Sequence, residues 1–256
     1  MDFIDTHSHI YSEEFDPDRS KAVQRAFEAG VTKIILPDID ASSRPAMLSL
    51  ADSMPNHFFP CSGLHPTSVG INYKNDLNDV EKLLSSERRF YAVGEIGIDL
   101  YWEQTFENQQ FDAFKTQIEW ALQLHLPIIV HVRNALEKTL AAIEHFAGSG
   151  LTGVFHCFSG SVEQAQLAVD MGFLLGIGGV VTFKKSTLPE VVEKIDIRHL
   201  LLETDCPYLA PVPHRGQRNE SSYIPIIAQK IADIKQLSVN DVANQTTANA
   251  RQLFGI

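Results

Sequence analysis

The chain has 256 residues, of which 44% are hydrophobic and 21% charged, and its formal net charge is −11. This composition excludes a disordered chain and favours a buried core, and the length fits one large α/β domain. The negative charge argues against broad electrostatic binding to nucleic acid, although bound divalent cations would change the local field. Three cysteines placed far apart argue against a disulfide framework.

Membrane-spanning segments and signal peptides each have a recognisable sequence pattern. No apolar run is long enough to span a bilayer, and the start at Met1–Asp5 lacks the basic residues of a signal peptide. We therefore expect a cytoplasmic protein without a membrane partner.

Strand and helix signals alternate along the whole chain. Apolar, often β-branched runs predict eight strands, at Phe3–Thr6, Thr32–Leu36, Phe58–Ser62, Tyr91–Glu95, Ile128–His131, Gly153–His156, Phe173–Gly176 and Leu200–Thr204. Helical spacing predicts nine helices, at Arg19–Ala29, Arg44–Ser53, Leu77–Ser86, Phe106–Leu124, Ala135–Phe146, Val162–Met171, Leu188–Lys194, Ile224–Lys235 and Val239–Phe254.

This alternation is typical of right-handed βαβ units on a parallel sheet. Eight units fit a closed (β/α)8 TIM barrel, and we expect residues 1–256 to form one such domain. An open doubly wound sheet is the alternative, but no Gly-rich phosphate loop follows the first strand.

Metal-binding side chains stand at the predicted C-terminal ends of the strands, where barrel enzymes carry their active sites. The candidate ligands are His7, His9, Glu95, His131, His156 and Asp205. A single strand-end histidine is more often structural, but six suitable residues at such positions make a joint structural role improbable. Imidazole with carboxylate suits Zn, Mn, Fe or Ni, whereas Mg prefers oxygen ligands.

Six ligands are more than one tetrahedral ion needs, so we expect two divalent metal ions roughly 3.5–4 Å apart. His7, His9 and Asp205 would hold one ion, His131 and His156 the other, and Glu95 would bridge them. Such a pair activates a hydroxide for attack on a phosphoryl or carbonyl group.

Further polar residues lie close to these positions. Glu203 precedes Asp205 by two residues, so we expect it to hydrogen-bond a ligand, with plain barrel packing as the alternative. Arg133 and Arg215 are candidates for phosphate binding, because guanidinium groups suit bidentate phosphate contacts. The basic residues Arg218, Lys184 and Lys185 also fall near the predicted mouth. Cys157 and Cys206 adjoin ligands, and we expect buried thiols there.

The motifs resemble those of TatD-type metal-dependent deoxyribonucleases, within the amidohydrolase-like barrels. The matching segments are Phe3–His9, Gly63–Pro66, Val93–Asp99, Leu126–Arg133, Val154–Gly160, Leu202–Pro211, Pro213–Glu220 and Asn249–Phe254. The resemblance implies the same six metal ligands, and it places His65 and Arg133 near the substrate. Glu95 stands where related amidohydrolases use a carbamylated lysine. Cys206 and Leu100 depart from the common Ser and Tyr.

The resemblance implies hydrolysis of DNA phosphodiester bonds, in some members as a 3′–5′ exonuclease. We expect single-stranded DNA or chain ends as the substrate and Mg, Mn, Zn, Fe or Ni as the metal. Asp205 and Glu95 are the expected catalytic residues, and Asp205 would orient or deprotonate the attacking water. One alternative is an ester hydrolase on the same site, such as a D-aminoacyl-tRNA deacylase. Another is a non-catalytic partner protein, against which the intact ligand set argues.

Overall fold

The computed structural model describes residues 1–256, and it confirms the predicted α/β barrel architecture. Eight strands alternate with helices along the chain. The strands are β1 Phe3–Asp5, β2 Val31–Leu36, β3 Phe58–Pro60, β4 Val93–Asp99, β5 Ile128–Arg133, β6 Gly153–Phe155, β7 Phe173–Ile177 and β8 Leu200–Leu202. The helices are α1 Arg19–Glu28, α2 Arg44–Ser53, α3 Tyr73–Leu84, α4 Glu107–Leu124, α5 Leu136–Glu144, α6 Val162–Asp170, α7 Leu188–Lys194, α8 Ile224–Lys235 and α9 Val239–Phe254.

All strand pairs are parallel, but the hydrogen-bonded ladder is not continuous around the ring. Strands β1–β2–β3 form one sheet and β4–β5–β6–β7–β8 form another. Single bridges join the two sheets at both seams, Ser62 with Val93 and Ser8 with Cys206. The second bridge lies directly beside the candidate ligands His7 and His9, so one seam coincides with the site.

Strand β4 continues four residues beyond its predicted end at Glu95, and it pairs with β5 as far as Asp99 and Arg133. The pairing register shifts between Val93 and Ile96, an irregularity of the kind that re-aims side chains next to active sites. Gly97 makes this pairing possible. Its φ is +148°, and a Cβ atom there would lie 1.9 Å from the carbonyl oxygen of His131.

The interior of the barrel is filled by side chains from most of the strands. A cluster of ten buried residues contains Ile4, Ile35, Ile129 and Leu201, together with Phe254 of α9. Helix α9 thus closes the barrel at the end opposite the polar mouth. A larger cluster of 54 residues packs the strands against the surrounding helices.

Local signals explain where several helices begin. Helices α6 and α9 each start with a capping box, in which Ser161 and Ser238 accept hydrogen bonds from the backbone three residues on. Helix α8 carries Pro225 in its first turn, where the missing N–H costs no hydrogen bond. None of the helices has the length and apolar character required to cross a membrane.

Candidate metal centre

The six predicted ligands meet at the mouth of the barrel around one buried carboxylate, that of Glu95. Its Oε2 lies 3.2 Å from His7 Nε2 and 3.6 Å from His9 Nε2. Its Oε1 lies 2.9 Å from His131 Nδ1 and 2.6 Å from His156 Nε2. The two oxygens of Glu95 therefore face two different pairs of imidazoles.

Asp205 completes the half of the site that contains His7 and His9. Its Oδ1 lies 3.7 Å from His7 Nε2 and 3.5 Å from His9 Nε2. The backbone of Asp205 has φ +57°, a left-handed conformation directly after β8. The two halves adjoin, because the ring of His156 stacks on that of His7 with 3.9 Å between centroids.

The tautomer of His9 supports a cation at its free nitrogen. Tyr11 donates its hydroxyl hydrogen to the carbonyl oxygen of Pro37, so it can only accept from His9 Nδ1, which lies 2.9 Å away. His9 Nε2 then carries the lone pair, and it sits 3.2 Å from His7 Nε2 beside two carboxylates. Ring nitrogens and carboxylate oxygens that converge in this way fit a divalent transition-metal ion.

His131 is held from the side away from Glu95. Its Nε2 lies 3.0 Å from Asp99 Oδ2, which leaves Nδ1 to face the centre. Burial alone would lower the pKa of His131, but the hydrogen bonds that its ring donates to Asp99 and Glu95 raise it to about 9. The two carboxylates therefore favour positive charge at this position.

The protonation states of Glu95 and His7 depend on the close packing of carboxylates and imidazoles in the candidate metal centre. Burial would raise the pKa of Glu95, but the neighbouring His156, His7 and His65 hold it well below its usual range. Burial and the nearby His156 lower the pKa of His7 to about 4, against the pull of Glu95. Glu95 is therefore ionised and His7 is neutral, and these are the protonation states that metal ligation requires of a carboxylate and an imidazole.

His65, expected near the substrate, is buried beside Glu95. Its Nδ1 accepts a hydrogen bond from the backbone N–H of Thr67 and therefore carries no hydrogen. Its Nε2 must then be the N–H, and it points at Glu95 Oε1 from 3.4 Å. His65 is thus a donor that orients the carboxylate of Glu95, although it also lies within ligand distance of Glu95 and His131.

The seam between β1 and β8 positions His7 and Asp205 together. Asp5 accepts hydrogen bonds from the backbone N–H groups of His7 and Thr204, and from the Thr204 hydroxyl. The backbone N–H of Asp205 donates to the carbonyl oxygen of His7 at 2.9 Å. Ligands from the first and last strands are therefore fixed to each other by a buried network.

Glu203 is fully buried and contacts the backbone beside a ligand. Its Oε1 accepts a hydrogen bond of 2.5 Å from the N–H of Cys157, the residue after His156. Its other oxygen occupies the space over Gly176, where a Cβ atom would come within 2.1 Å. Glu203 therefore holds the backbone next to His156 and makes no hydrogen bond to the His156 side chain. Cys157 and Cys206 are both free thiols, with no disulfide bond.

The predicted phosphate-binding arginines are exposed at the mouth. Arg133 lines a cavity of about 230 Å³ together with His131, His156 and Asp205. Its guanidinium also lies over the ring of Tyr101, 4.0 Å from the centroid.

Arg215 and Arg218 lie farther along the segment that follows β8. Arg215 lies over Phe183, 4.4 Å from the ring centroid. Arg218 is bound by Asp18 and Glu220 instead, so its role is structural.

Three residues that support the ligands were not singled out from the sequence: Asp5, Tyr11 and Asp99. Asp5 and Tyr11 each lie two residues from a ligand histidine, a spacing that places side chains on one side of an extended chain. Asp99 stands beyond the predicted end of β4. Their roles rest on partners elsewhere in the chain, at Thr204, Pro37 and His131.

Barrel and site together define a hydrolase of the α/β barrel class with a candidate metal centre at the C-terminal ends of its strands. Residues 4–255 match the family model for TatD related DNase. The chain belongs to this family.

Individual relatives match along their full length. The chain is 36% identical over 254 residues to the uncharacterized metal-dependent hydrolase YabD of Bacillus subtilis, with 99% of both proteins covered. It is 32% identical over 259 residues to the 3′-5′ ssDNA/RNA exonuclease TatD of Pantoea ananatis, again with 99% of both covered. The crystal structure of the TatD homologue YjjV from Escherichia coli matches with a TM-score of 0.93 at 30% identity, covering 99% of this chain and 98% of that one.

Proposed function

We propose that this protein hydrolyses phosphodiester bonds at the ends of single-stranded DNA, using two divalent ions held by His7, His9, Glu95, His131, His156 and Asp205. The observation that carries the proposal is the two-sided carboxylate of Glu95. Oε2 faces the pair from β1, and Oε1 faces the histidines of β5 and β6. A carboxylate shared in this way is suited to bridge two ions.

Divalent ions bound here would supply Lewis acidity, which lowers the pKa of water and offsets negative charge on an attacked phosphoryl group. Asp205 is suited to accept the proton of the attacking water. Its side chain is 15% exposed, against 3% for Glu95. Burial would raise the pKa of Asp205, but the neighbouring imidazoles of His9, His7 and His156 hold it below its usual range. Asp205 is therefore ionised at neutral pH.

Two observations support a single-stranded nucleic acid as the substrate: the named activity of a relative and the groups around the cavity. One relative is named as a 3′-5′ ssDNA/RNA exonuclease. Arg133 lines the same cavity as His131, His156 and Asp205, where it can hold a phosphate next to the reacting bond. Because the whole chain carries a net charge of −11, substrate binding must depend on this local positive charge.

The test is hydrolysis of a 5′-labelled single-stranded oligonucleotide with Mg²⁺ or Mn²⁺, with and without chelator. We expect stepwise shortening from one end that chelator abolishes. Asp205→Asn should lower kcat by at least about 100-fold, while Asp196→Asn, at an exposed carboxylate paired with Arg198, should be unchanged. Full activity in Asp205→Asn would refute the role of Asp205.

Parallel assays separate the proposal from its alternatives. The same preparation is incubated with a D-aminoacyl-tRNA and with the oligonucleotide, at equal metal concentration. If the amino acid is released faster than nucleotides, the protein is an ester hydrolase and not a phosphodiesterase. The number of bound ions, measured on the same sample, should be two per chain, and Glu95→Gln should reduce it.

A further inference from the structure

Two large aromatic side chains are exposed at the mouth of the barrel, directly after β4. Tyr101 is 51% exposed and Trp102 is 67% exposed. Their rings pack edge to face, with 4.8 Å between centroids and an interplanar angle of 88°. The two adjacent rings together form an exposed aromatic patch, and contiguous apolar patches on a protein surface mark ligand-binding sites.

The aromatic pair, Tyr101 and Trp102, is held in place by the same carboxylate that holds a metal ligand. Asp99 Oδ1 accepts hydrogen bonds from the backbone N–H groups of Tyr101 and Trp102, at 2.9 and 2.8 Å. Asp99 Oδ2 lies 3.0 Å from His131 Nε2. One side chain therefore separates the aromatic pair from the metal centre, and the pair has a fixed position relative to it.

Arg133 connects the aromatic pair to the cavity. Its guanidinium lies 4.0 Å from the ring centroid of Tyr101 and 5.2 Å from that of Trp102. The backbone N–H of Leu100 also donates to the carbonyl oxygen of Arg133 at 2.9 Å. A guanidinium lying over an aromatic ring keeps its N–H groups at the edge, where they can bind phosphate.

We propose that the aromatic pair is a nucleobase-stacking subsite, in which Trp102 stacks on a base of the substrate strand while Arg133 binds the adjoining phosphate. This inference rests on the proposed function, and it assigns a binding site to the nucleobase, which the metal centre does not contact. Combining stacking aromatics with a nearby cation is the usual physical basis for binding single strands without reading their sequence. The subsite accordingly accepts any base and rejects a strand whose bases are absent.

Trp102 provides its own spectroscopic probe, because the chain contains only one other tryptophan, Trp120. Trp120 is partly buried on α4 and packs against the main core, so Trp120→Phe leaves Trp102 as the single reporter. The metal-loaded Trp120→Phe protein is titrated with a phosphorothioate dT oligomer, which resists hydrolysis, and with an abasic phosphorothioate oligomer of equal length. We expect quenching of Trp102 emission by the first oligomer only.

Hydrolysis kinetics provide the second readout. Trp102→Ala should raise KM for the unmodified oligonucleotide about tenfold with little change in kcat, because Trp102 does not touch the reacting atoms. Trp102→Phe should restore most of the loss, since a ring remains to stack. KM for an oligonucleotide with abasic terminal positions should be equal in wild type and Trp102→Ala.

The outcomes distinguish this proposal from the proposed function. Quenching by the dT oligomer alone, in a protein that hydrolyses no oligonucleotide, would keep the subsite and refute the nuclease. Normal hydrolysis with equal quenching by both oligomers, or with no quenching, would refute the subsite alone. Emission of Trp102 that depends on protein concentration without oligonucleotide would assign the aromatic pair to contact between copies of the chain and overturn the proposal.

Discussion

Asp99 Oδ2 and His131 Nε2 lie 3.0 Å apart, and this contact makes His131 present Nδ1 rather than Nε2 to Glu95. The bond fixes which nitrogen of the ring is free to bind a metal ion. A carboxylate behind a ligand histidine also raises the basicity of that ligand. Asp99 thus positions the ring of a candidate metal ligand.

The first prediction concerns this contact. Asp99→Asn should weaken metal binding in the His131 half of the site by about 10- to 100-fold, while the protein remains folded. Isothermal titration of the metal-free protein with Mn²⁺ measures the loss. Asp112→Asn, at an exposed carboxylate of α4 that binds Tyr73, is the matched control and should titrate like wild type. Equal affinities in Asp99→Asn and wild type would contradict the assigned role.

The second prediction separates a donor from a ligand at His65. Because its Nε2–H points at Glu95, His65→Asn should lower kcat by about 10- to 100-fold while both ions stay bound. His131→Ala, by contrast, should lose one ion. Elemental analysis of both purified variants checks this. If His65→Asn loses metal to the same degree as His131→Ala, His65 is a ligand.

The third prediction concerns Gly97, where β4 approaches β5. Gly97→Ala places a methyl group against the carbonyl oxygen of His131 at a φ of +148°, so it should lower the free energy of unfolding by more than about 1 kcal/mol. Urea unfolding measures the change. Gly70→Ala is the control, because a Cβ there meets nothing within 4 Å. Similar stabilities of the two variants would show that β4 can shift away from β5.

The fourth prediction is a pH dependence of stability. Hydrogen bonds from Arg218 and Arg25 hold the pKa of Asp18 well below its usual range. The lowered pKa means that Asp18 contributes stability above the pKa of an unfolded aspartate, about 3.9, and that this contribution is lost as the pH falls through its folded pKa. Wild type should therefore have a higher Tm than Asp18→Asn at pH 7, and the difference should shrink as the pH falls below about 4.

The matched control for this series is Asp79→Asn, which removes an exposed partner of Lys82 on α3. Thermal scans of the three proteins between pH 7 and pH 3 should show a pH-dependent gap for Asp18→Asn alone. A gap that stays constant over the whole range would mean that Asp18 stabilises the fold by something other than its charge.

Most of the fold follows from the sequence, because long periodic segments specify their own secondary structure. Helices α2, α7, α8 and α9 begin and end at the predicted residues. Strand β4 was predicted too short, since Gly97 and Asp99 are poor strand residues. Their extended conformation comes from pairing with β5, which the local sequence does not contain. Helix α3 starts at Tyr73, four residues before its predicted start.

The candidate site also has features that the sequence predicts and features that it does not. The meeting of the six candidate ligands could be predicted because the C-terminal ends of barrel strands converge, whatever the detailed geometry. The hydrogen bonds that choose tautomers could not be predicted. Tyr11 fixes His9 through Pro37, and Asp99 fixes His131 across 32 residues. The sequence predicts that Arg133 binds phosphate. It does not predict that Arg133 packs on Tyr101, because that contact depends on the conformation of the loop after β4.

The network of Asp5 and Thr204 has a consequence for synthesis of the chain. His7 and His9 leave the ribosome first, whereas Asp205 and the strand that anchors it follow almost 200 residues later. The carboxylate of Asp5 gains its two hydrogen bonds from Thr204 only when that residue is in place. A nascent chain therefore carries only part of the candidate ligand set, which becomes complete when the last strand docks beside the first.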